Sequence, residues 1–309
     1  SKITLDEKGK PVEIKEYERN NANRIIEEFM LAANQTVAEE YFWQELPFVY
    51  RVHEEPDEEK INQLGVFIEN FGYTLKVNSD GEIHPKEIQK LIKSVEGKPE
   101  EALISRLALR SMKQAKYSPE NLGHFGLSAK YYCHFTSPIR RYPDLQIHRI
   151  IKEQLHGTLS KSRQEHYEHI LPSVCDSSSK LERRADEAER ETDKLKKAQY
   201  MRRHIGDIYE GVISGVTAYG FYVELTNTVE GLVRAANLDD DYYIYDQEHY
   251  QLVGEMTGRT FSIGQSVSVV VVDADTLTKQ IEFLLYYPEE DWSKGETRHG
   301  KRKSKTHRK

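Results

Sequence analysis

Between Gly123 and Leu145 the chain gathers residue types that handle anions. Gly123-His124-Phe125-Gly126-Leu127 is followed by Tyr131-Tyr132-Cys133-His134-Phe135-Thr136-Ser137-Pro138-Ile139-Arg140-Arg141-Tyr142-Pro143-Asp144-Leu145. Ser137 is a helix-capping residue type and Pro138 suits a first helical position, so the pattern predicts a helix from Ser137-Pro138, past Pro143, to His156-Gly157. Arg140 and Arg141 then fall in its first turn, where the helix dipole disfavours cations by ~0.3–1 kcal/mol each. A bound anion reverses that penalty, because free backbone N–H groups and two guanidiniums converge on it. Tyr131, Tyr132, Phe135 and Tyr142 lie close by, and unpaired bases stack on such rings. An Arg pair bridged to acidic surface neighbours fits the same spacing.

The elements around this stretch read as helical. Ile3-Thr4-Leu5 and Val12-Glu13-Ile14 flank a turn-rich link and predict a β-hairpin, one that wants more sheet than the next hundred residues supply. Ile25, Phe29, Ala32/Ala33, Val37 and Tyr41 make one apolar stripe on a helix from Asn21 to Trp43. Further helices are expected after Pro56-Asp57 (Ile61, Leu64, Ile68, Phe71), after Pro85 (Ile88, Leu91/Ile92, Val95) and after Pro99 (Leu103, Leu107, Ser111). The most polar one runs from Ser179 to about Arg203, with Leu181, Ala185, Ala188, Thr192 and Leu195 as a thin seam for close docking. At Gly206 the period changes to two. Ile208–Val216, Gly220–Leu225, Glu230–Val233, Ser266–Asp273 and Gln280–Leu285 predict five short strands, suited to a small oligonucleotide-binding barrel.

Composition narrows the setting. The 309 residues leave room for two or more domains, and 19 Tyr with 10 Phe can fill cores despite 31% charged residues and a mean hydropathy of −0.72. The net charge of −7 is uneven: residues 293–309 hold eight Lys/Arg against one Glu. Residues 206–287 hold 13 Asp/Glu against three Lys/Arg, and 1–205 are near neutral with 33 Lys/Arg and 34 Asp/Glu. No apolar run approaches the ~20 residues of a membrane span. The N-terminus lacks a signal-like apolar core, and two cysteines are too few for a disulfide framework or a thiolate metal site. A soluble protein of the reducing cytoplasm, with no membrane partner, is the expectation.

The run from His124 to Arg149, HFGLSAKYYCHFTSPIRRYPDLQIHR, resembles the signature of the ribonuclease II/R (RNB) family of processive 3′→5′ exoribonucleases. Ile26–Asn34 and Leu46–Glu54 resemble supporting stretches of that family. Order and spacing are most like its ribonuclease R branch, from Ile3 to about Tyr287. The resemblance implies that Arg140 binds the scissile phosphate and stabilises developing charge. It implies that Arg141 holds a neighbouring phosphate or a structural carboxylate, with Tyr142 beside them on the RNA. It also matches Glu189, in Ala188-Glu189-Arg190, to a glutamate near the RNA end; a solvated helix face is the other reading of that residue. The family hydrolyses single-stranded RNA to nucleoside 5′-monophosphates with Mg²⁺ on an aspartate cluster. That cluster lies upstream of the opening hairpin, so no metal ligand is expected in this chain. Asp239-Asp240-Asp241 reads as a solvated loop. Two accounts follow: a C-terminal portion of such an enzyme, inactive alone and completed by an upstream N-terminal portion, or a catalytically silent RNA-binding or regulatory module.

Val216–Leu225 followed by Val229–Arg234 is similar to an S1-type RNA-binding domain, whose aromatic and basic RNA face falls here on Tyr219, Tyr222 and Arg234. A core role for one tyrosine is the other reading. The acidic charge of this barrel predicts weak binding alone, while the basic tail could contact phosphates without sequence preference. An S1-type protein of translation is a third account that the His124–Arg149 run disfavours. The expected class is α+β and multidomain: a mostly helical, partial RNB domain (1–204), a five-stranded S1-type barrel (205–287) and a basic disordered tail (288–309).

Overall fold

The computed structural model describes residues 1–17, 19–78, 83–98, 100–247 and 249–287; the basic tail lies outside them. Lys2–Leu5 (β1) and Pro11–Lys15 (β2) pair antiparallel. Asp6 closes their turn by accepting the Lys8 and Lys10 N–H groups. Asn21–Trp43 (α1) opens on a capping box in which Asn20 and Asn23 bond each other's backbone N–H. Its predicted stripe is buried only toward its C-terminal end: Tyr41 enters the core, with Ala38 beside the stripe, while Ile25 and Phe29 of the stripe, and their neighbours Ile26 and Met30, stand 43% to 68% exposed.

Tyr50–Val52 (β3) is a strand that helical periodicity did not anticipate. Glu58–Glu69 (α2) is capped by Asp57, and Pro85–Val95 (α3) by His84 with Pro85 as its first residue. Glu101–Ser111 (α4) follows, then Lys116–Ser118 (β4), which pairs antiparallel with β3. Tyr142–Leu155 (α5) starts five residues later than the Ser137-Pro138 signal predicts. Lys161–Met201 (α6) starts eighteen residues earlier than predicted and runs through Pro172. Tyr167, Leu171, Cys175 and Ser179, four apart and all buried, bind its first half to the core. That packing outweighs the missing N–H of Pro172.

The strands continue with Ile208–Thr217 (β5), Gly220–Leu225 (β6) and Glu230–Arg234 (β7). Tyr243–Asp246 (β8), Gln251–Gly254 (β9) and Thr260–Ser262 (β10) follow, then Ser266–Asp275 (β11) and Gln280–Leu285 (β12). Six helices and a closed barrel make the chain α+β.

The chain divides into two units, with the break inside α6. Tyr17–Asp193 is one. Its core holds Ala38, Tyr41, Phe48, Tyr50, Val52, Tyr117, Cys133, Ile147 and Ile150, with Tyr41 stacked on Phe48 at 4.9 Å. The other comprises Ser1–Glu16 and Lys194 onward, whereas the sequence reading kept 1–204 together. Here the hairpin finds its partner in the end of α6 rather than in more sheet: Lys196 Nζ donates to Gly9 O (2.7 Å) and Arg203 Nη1 to Pro11 O (3.3 Å). The barrel closes in the order β11-β12-β7-β6-β5, with β12 and β7 parallel. Ile213, Phe221, Val223, Val233, Val269 and Phe283 fill it with no exposed surface. Gly220, at φ +148°, is required where β6 starts, since a Cβ there would lie 2.2 Å from Val233 O. The span read as loops between β7 and β11 contains the β10-β9-β8 sheet, whose Phe261 stacks on Phe221 at 4.8 Å.

Candidate phosphate and RNA site

The 119–141 segment has no regular structure beyond one turn of 3-10 helix, so it is held by β3 and α1. Arg51 N–H donates to Tyr132 O, His53 N–H to Gly123 O, and Phe125 N–H back to His53 O. His53 also joins two loops through its ring: Nδ1 accepts the Gly126 N–H (3.0 Å), so Nε2–H donates to Lys113 O (2.6 Å). From α1, buried Asn34 serves both sides of the chain that follows. Its Nδ2 donates to Tyr132 Oη (3.2 Å), its Oδ1 accepts Phe135 N–H (3.0 Å), and its carbonyl accepts the Cys133 thiol.

This frame ends in a tight turn rather than a helix. Arg140 and Arg141 N–H both donate to Ser137 O, and the run is not continued. Arg141 is the N-cap residue of α5, with Pro143 in its first turn, so the predicted pair of arginines within a helical turn is corrected. Pro143 gives the reason: it has no N–H to donate to Ile139 O and its ring would crowd that carbonyl, so it is tolerated only in the first turn of a helix that starts after Ile139. Asp144, with no exposed surface, pins the turn: its Oδ2 accepts Ser137 N–H (2.8 Å) and Arg141 Nη2 (2.8 Å). Asp144 Oδ1 and Arg141 Nε are buried without a partner. Arg141 is largely buried and bonded to this carboxylate. Arg140 is exposed, and among the described residues nothing pairs with its guanidinium. Ile139 beside it is fully exposed, and Tyr142 is half-exposed with the Arg149 guanidinium 5.9 Å from its ring.

Two of the aromatics cannot stack on bases, because Tyr131 and Tyr132 are buried. Phe135 is covered by His148, which stacks on it at 4.4 Å. Tyr142 alone of the four stays open. Two of the histidines nearby, His134 and His124, are held neutral near neutral pH. Burial, reinforced by Arg141 and Arg51, pushes His134 down to about 2, and burial with His53 pushes His124 down to about 4. Cys133 is equally inert, its thiol pushed up by burial.

α6 reaches this region through residues that the sequence reading passed over. Glu182 Oε2 accepts Arg51 Nη1 at 2.6 Å, and Arg51 lies 4.7 Å from the Tyr117 ring centre. Ser179 Oγ accepts Tyr117 N–H. Glu189 is exposed, with no hydrogen bond or ion pair to the 123–149 residues among those described. It follows Glu182 by seven residues, about 10.5 Å along the helix and on nearly the same face. The predicted seam residues Leu181, Ala185, Ala188 and Thr192 are exposed rather than docked. Asn34 and Arg51 lie in the supporting stretches Ile26–Asn34 and Leu46–Glu54 without a role read for them there, and Glu182 lies in none; the role of a buried polar residue such as Asp144 or Asn34 is recognised only once its partners are in place.

On the barrel, Tyr219 and Tyr222 stand edge to face with hydroxyls 3.0 Å apart, and neither sits in the core. Their mutual bond leads the effects that push the Tyr222 hydroxyl up to about 12. Arg234 is bonded to Glu282. Asp239-Asp240-Asp241 is more than a solvated loop. Asp241 accepts the Met256 and Thr257 N–H groups and the Thr257 hydroxyl, which hold it down to about 2, and Asp240 takes the Tyr243 hydroxyl and Arg259. These carboxylates tie a loop to β9's turn. Among the described residues no group of three His, Cys, Asp or Glu could hold a metal ion, so the residues present do not fit the metal site that the resemblance implies.

The family model described as "RNB domain" matches residues 1–157, half of the chain. The chain belongs to the RNB family. A second family model, "S1 RNA binding domain", matches residues 203–285. "Ribonuclease R 1" of Lactococcus lactis is 46% identical over 290 residues, covering 94% of this RNB chain and 35% of that protein. The solved "Mycoplasma genitalium RNase R in complex with ribose methylated single-stranded RNA" superposes with a TM-score of 0.83 at 27% identity, covering 92% of this chain and 45% of that one. Yeast Ssd1, described as a pseudonuclease, shares the fold at 24% identity and a TM-score of 0.59. The RNB chain thus spans under half the length of the ribonuclease R relatives it matches. Among its described residues no helix is long and apolar enough to cross a membrane.

Proposed function

We propose that this chain is the C-terminal portion of a processive 3′→5′ exoribonuclease of the ribonuclease R type, which hydrolyses single-stranded RNA to nucleoside 5′-monophosphates. It would be organised as a partial RNB domain (1–204), an S1-type barrel (205–287) and a basic tail (288–309), working in the cytoplasm. The observation that carries the reading is the open, unpaired Arg140 guanidinium on a turn that buried Asp144 holds from beneath. An arginine presented in this way can donate two charge-assisted bonds to a phosphate and meet the negative charge that develops on it. Arg141, tied to Asp144, is then a positioning residue, and Tyr142 offers its open ring to a neighbouring base. Glu189 would lie near the RNA end on the face of α6 that Glu182 marks. Tyr219, Tyr222 and Arg234 would guide the strand by stacking and charge.

The cofactor of the complete enzyme would be Mg²⁺, held by ligands outside this chain. The partner would be an upstream N-terminal portion of the same enzyme. Its need is supported by the apolar face of α1 at Ile25, Ile26, Phe29 and Met30, which no described residue covers. The second reading is a silent RNA-binding or regulatory module; the lack of a metal-capable group among the described residues fits both readings.

Labelled poly(A) with Mg²⁺ separates the two. Degradation only after adding the upstream half of a homologous enzyme supports the exonuclease portion. Degradation in neither case supports the silent module, and degradation by the chain alone overturns the placing of the metal ligands.

A further inference from the structure

The outward face of the barrel carries its own stand-in for a phosphate. Pairing sets Gly220 opposite Arg234, Tyr222 opposite Leu232, and Leu232 beside Glu282 on the parallel neighbour β12. Phe221, Val233 and Phe283 fill the core with no exposed surface. Strand alternation therefore turns Tyr222, Arg234 and Glu282 out on one face. There Arg234 donates through both Nε (2.9 Å) and Nη2 to a single oxygen, Glu282 Oε1. A guanidinium gripping one anionic oxygen in this way is committed to the kind of contact that it would make with an RNA phosphate. Arg234 is the only Lys or Arg on β5, β6, β7 and β12, and the two tyrosines beside it contribute no charge. Stacking is on offer, but the one cation on these four strands is already occupied.

We infer that Glu282 sets the affinity of this face, as an internal competitor that a phosphate of single-stranded RNA must displace from Arg234 before the strand settles on Tyr219 and Tyr222. The inference rests on reading the barrel face as RNA-binding. Displacement is feasible because the pair is open to water, with side chains 43% and 29% exposed, and solvent-exposed ion pairs are weakly held. It is also reversible, so the face grips by rings and releases by charge. A strand can be passed along such a surface without a tight phosphate bond having to be broken at every step.

The test uses the full chain and a fluorescent oligouridylate in EDTA, followed by anisotropy over a salt series. Wild type is compared with Glu282→Gln, Arg234→Ala, the double variant Arg234→Ala/Glu282→Gln, and Tyr219→Ala/Tyr222→Ala, each checked for wild-type circular dichroism. Glu282→Gln is expected to bind about 2–5-fold tighter at low salt, with a salt slope steeper by up to about 0.7 as one more phosphate is neutralised. The double variant is expected to bind no tighter than Arg234→Ala. The inference is overturned if Glu282→Gln binds no tighter than wild type. It is equally overturned if the gain survives without Arg234, since the carboxylate would then act only through net charge. If the tyrosine pair matters and Glu282→Gln is silent, the competitor alone is wrong. If both are silent, the RNA reading of this face falls with it.

Discussion

Arg140 and Asp144 divide the work of the central turn, one exposed to a ligand and one hidden beneath it. Arg140→Ala should abolish whatever activity complementation restores, by at least the ~10²–10³-fold loss typical of removing one preorganised donor; turnover of labelled poly(A) measures it. Asp144→Ala attacks the fold instead. It strands the largely buried Arg141 and the Ser137 N–H, and should lower the chain's stability by about 3 kcal/mol in urea unfolding. Asp144→Asn keeps an acceptor for Ser137 and should cost less. The buried histidines set a pH dependence with a definite sign. His124 and His134 take up protons near 6.5 when unfolded but only near 4 and 2 when folded. Below about 6.5 the unfolded state therefore binds more protons, and stability falls as pH falls. The urea midpoint should drop between pH ~7 and ~5, and His134→Gln should flatten that drop; a level midpoint would show that these rings are not held neutral.

At the scale of elements, short strands and a polar loop do the positioning, while the helices supply anchors. Gly126 shows how tight the loop is: a Cβ there would sit 2.8 Å from His53 Nδ1, the atom that accepts the Gly126 N–H. Gly126→Ala should therefore cost about 1–3 kcal/mol through overpacking, measured as a shift in thermal midpoint. α1 is half anchor and half open surface. Phe29→Glu should raise the solubility of the isolated chain, because it breaks the exposed apolar face, and should weaken complementation by an upstream portion. Improved solubility with undiminished complementation would place the partner elsewhere.

For the whole molecule, the net charge of −7 is an average over parts of opposite character, and it hides where RNA could be held. Without the tail of eight Lys/Arg and one Glu, the remaining residues carry −14. Deleting residues 293–309 should flatten the salt dependence of RNA binding by about 0.7 for each phosphate that the tail neutralises. An unchanged slope would assign binding to the two units alone.

The amino-acid sequence determined the family, the helix and strand periods and the residues of the central motif, because these are local patterns. Asn21–Trp43 and the five barrel strands are set by spacing that neighbouring residues alone display. What sequence could not reveal depends on residues far apart in the chain. The start of α5 was misplaced because Ser137-Pro138 is a valid helix start locally, yet Asp144 and Pro143 hold that segment as a turn. α6 was cut short because the four-residue spacing from Tyr167 to Ser179 acquires its meaning only against the core that it meets. Tyr131 and Tyr132 look like stacking platforms in sequence but are buried, and Arg234 looks free until β12 brings Glu282 to it. Only the tertiary structure decided which of these charged and aromatic side chains face solvent and which are already occupied. A ligand can use only the former, and pairing between strands distant in sequence sorts one from the other.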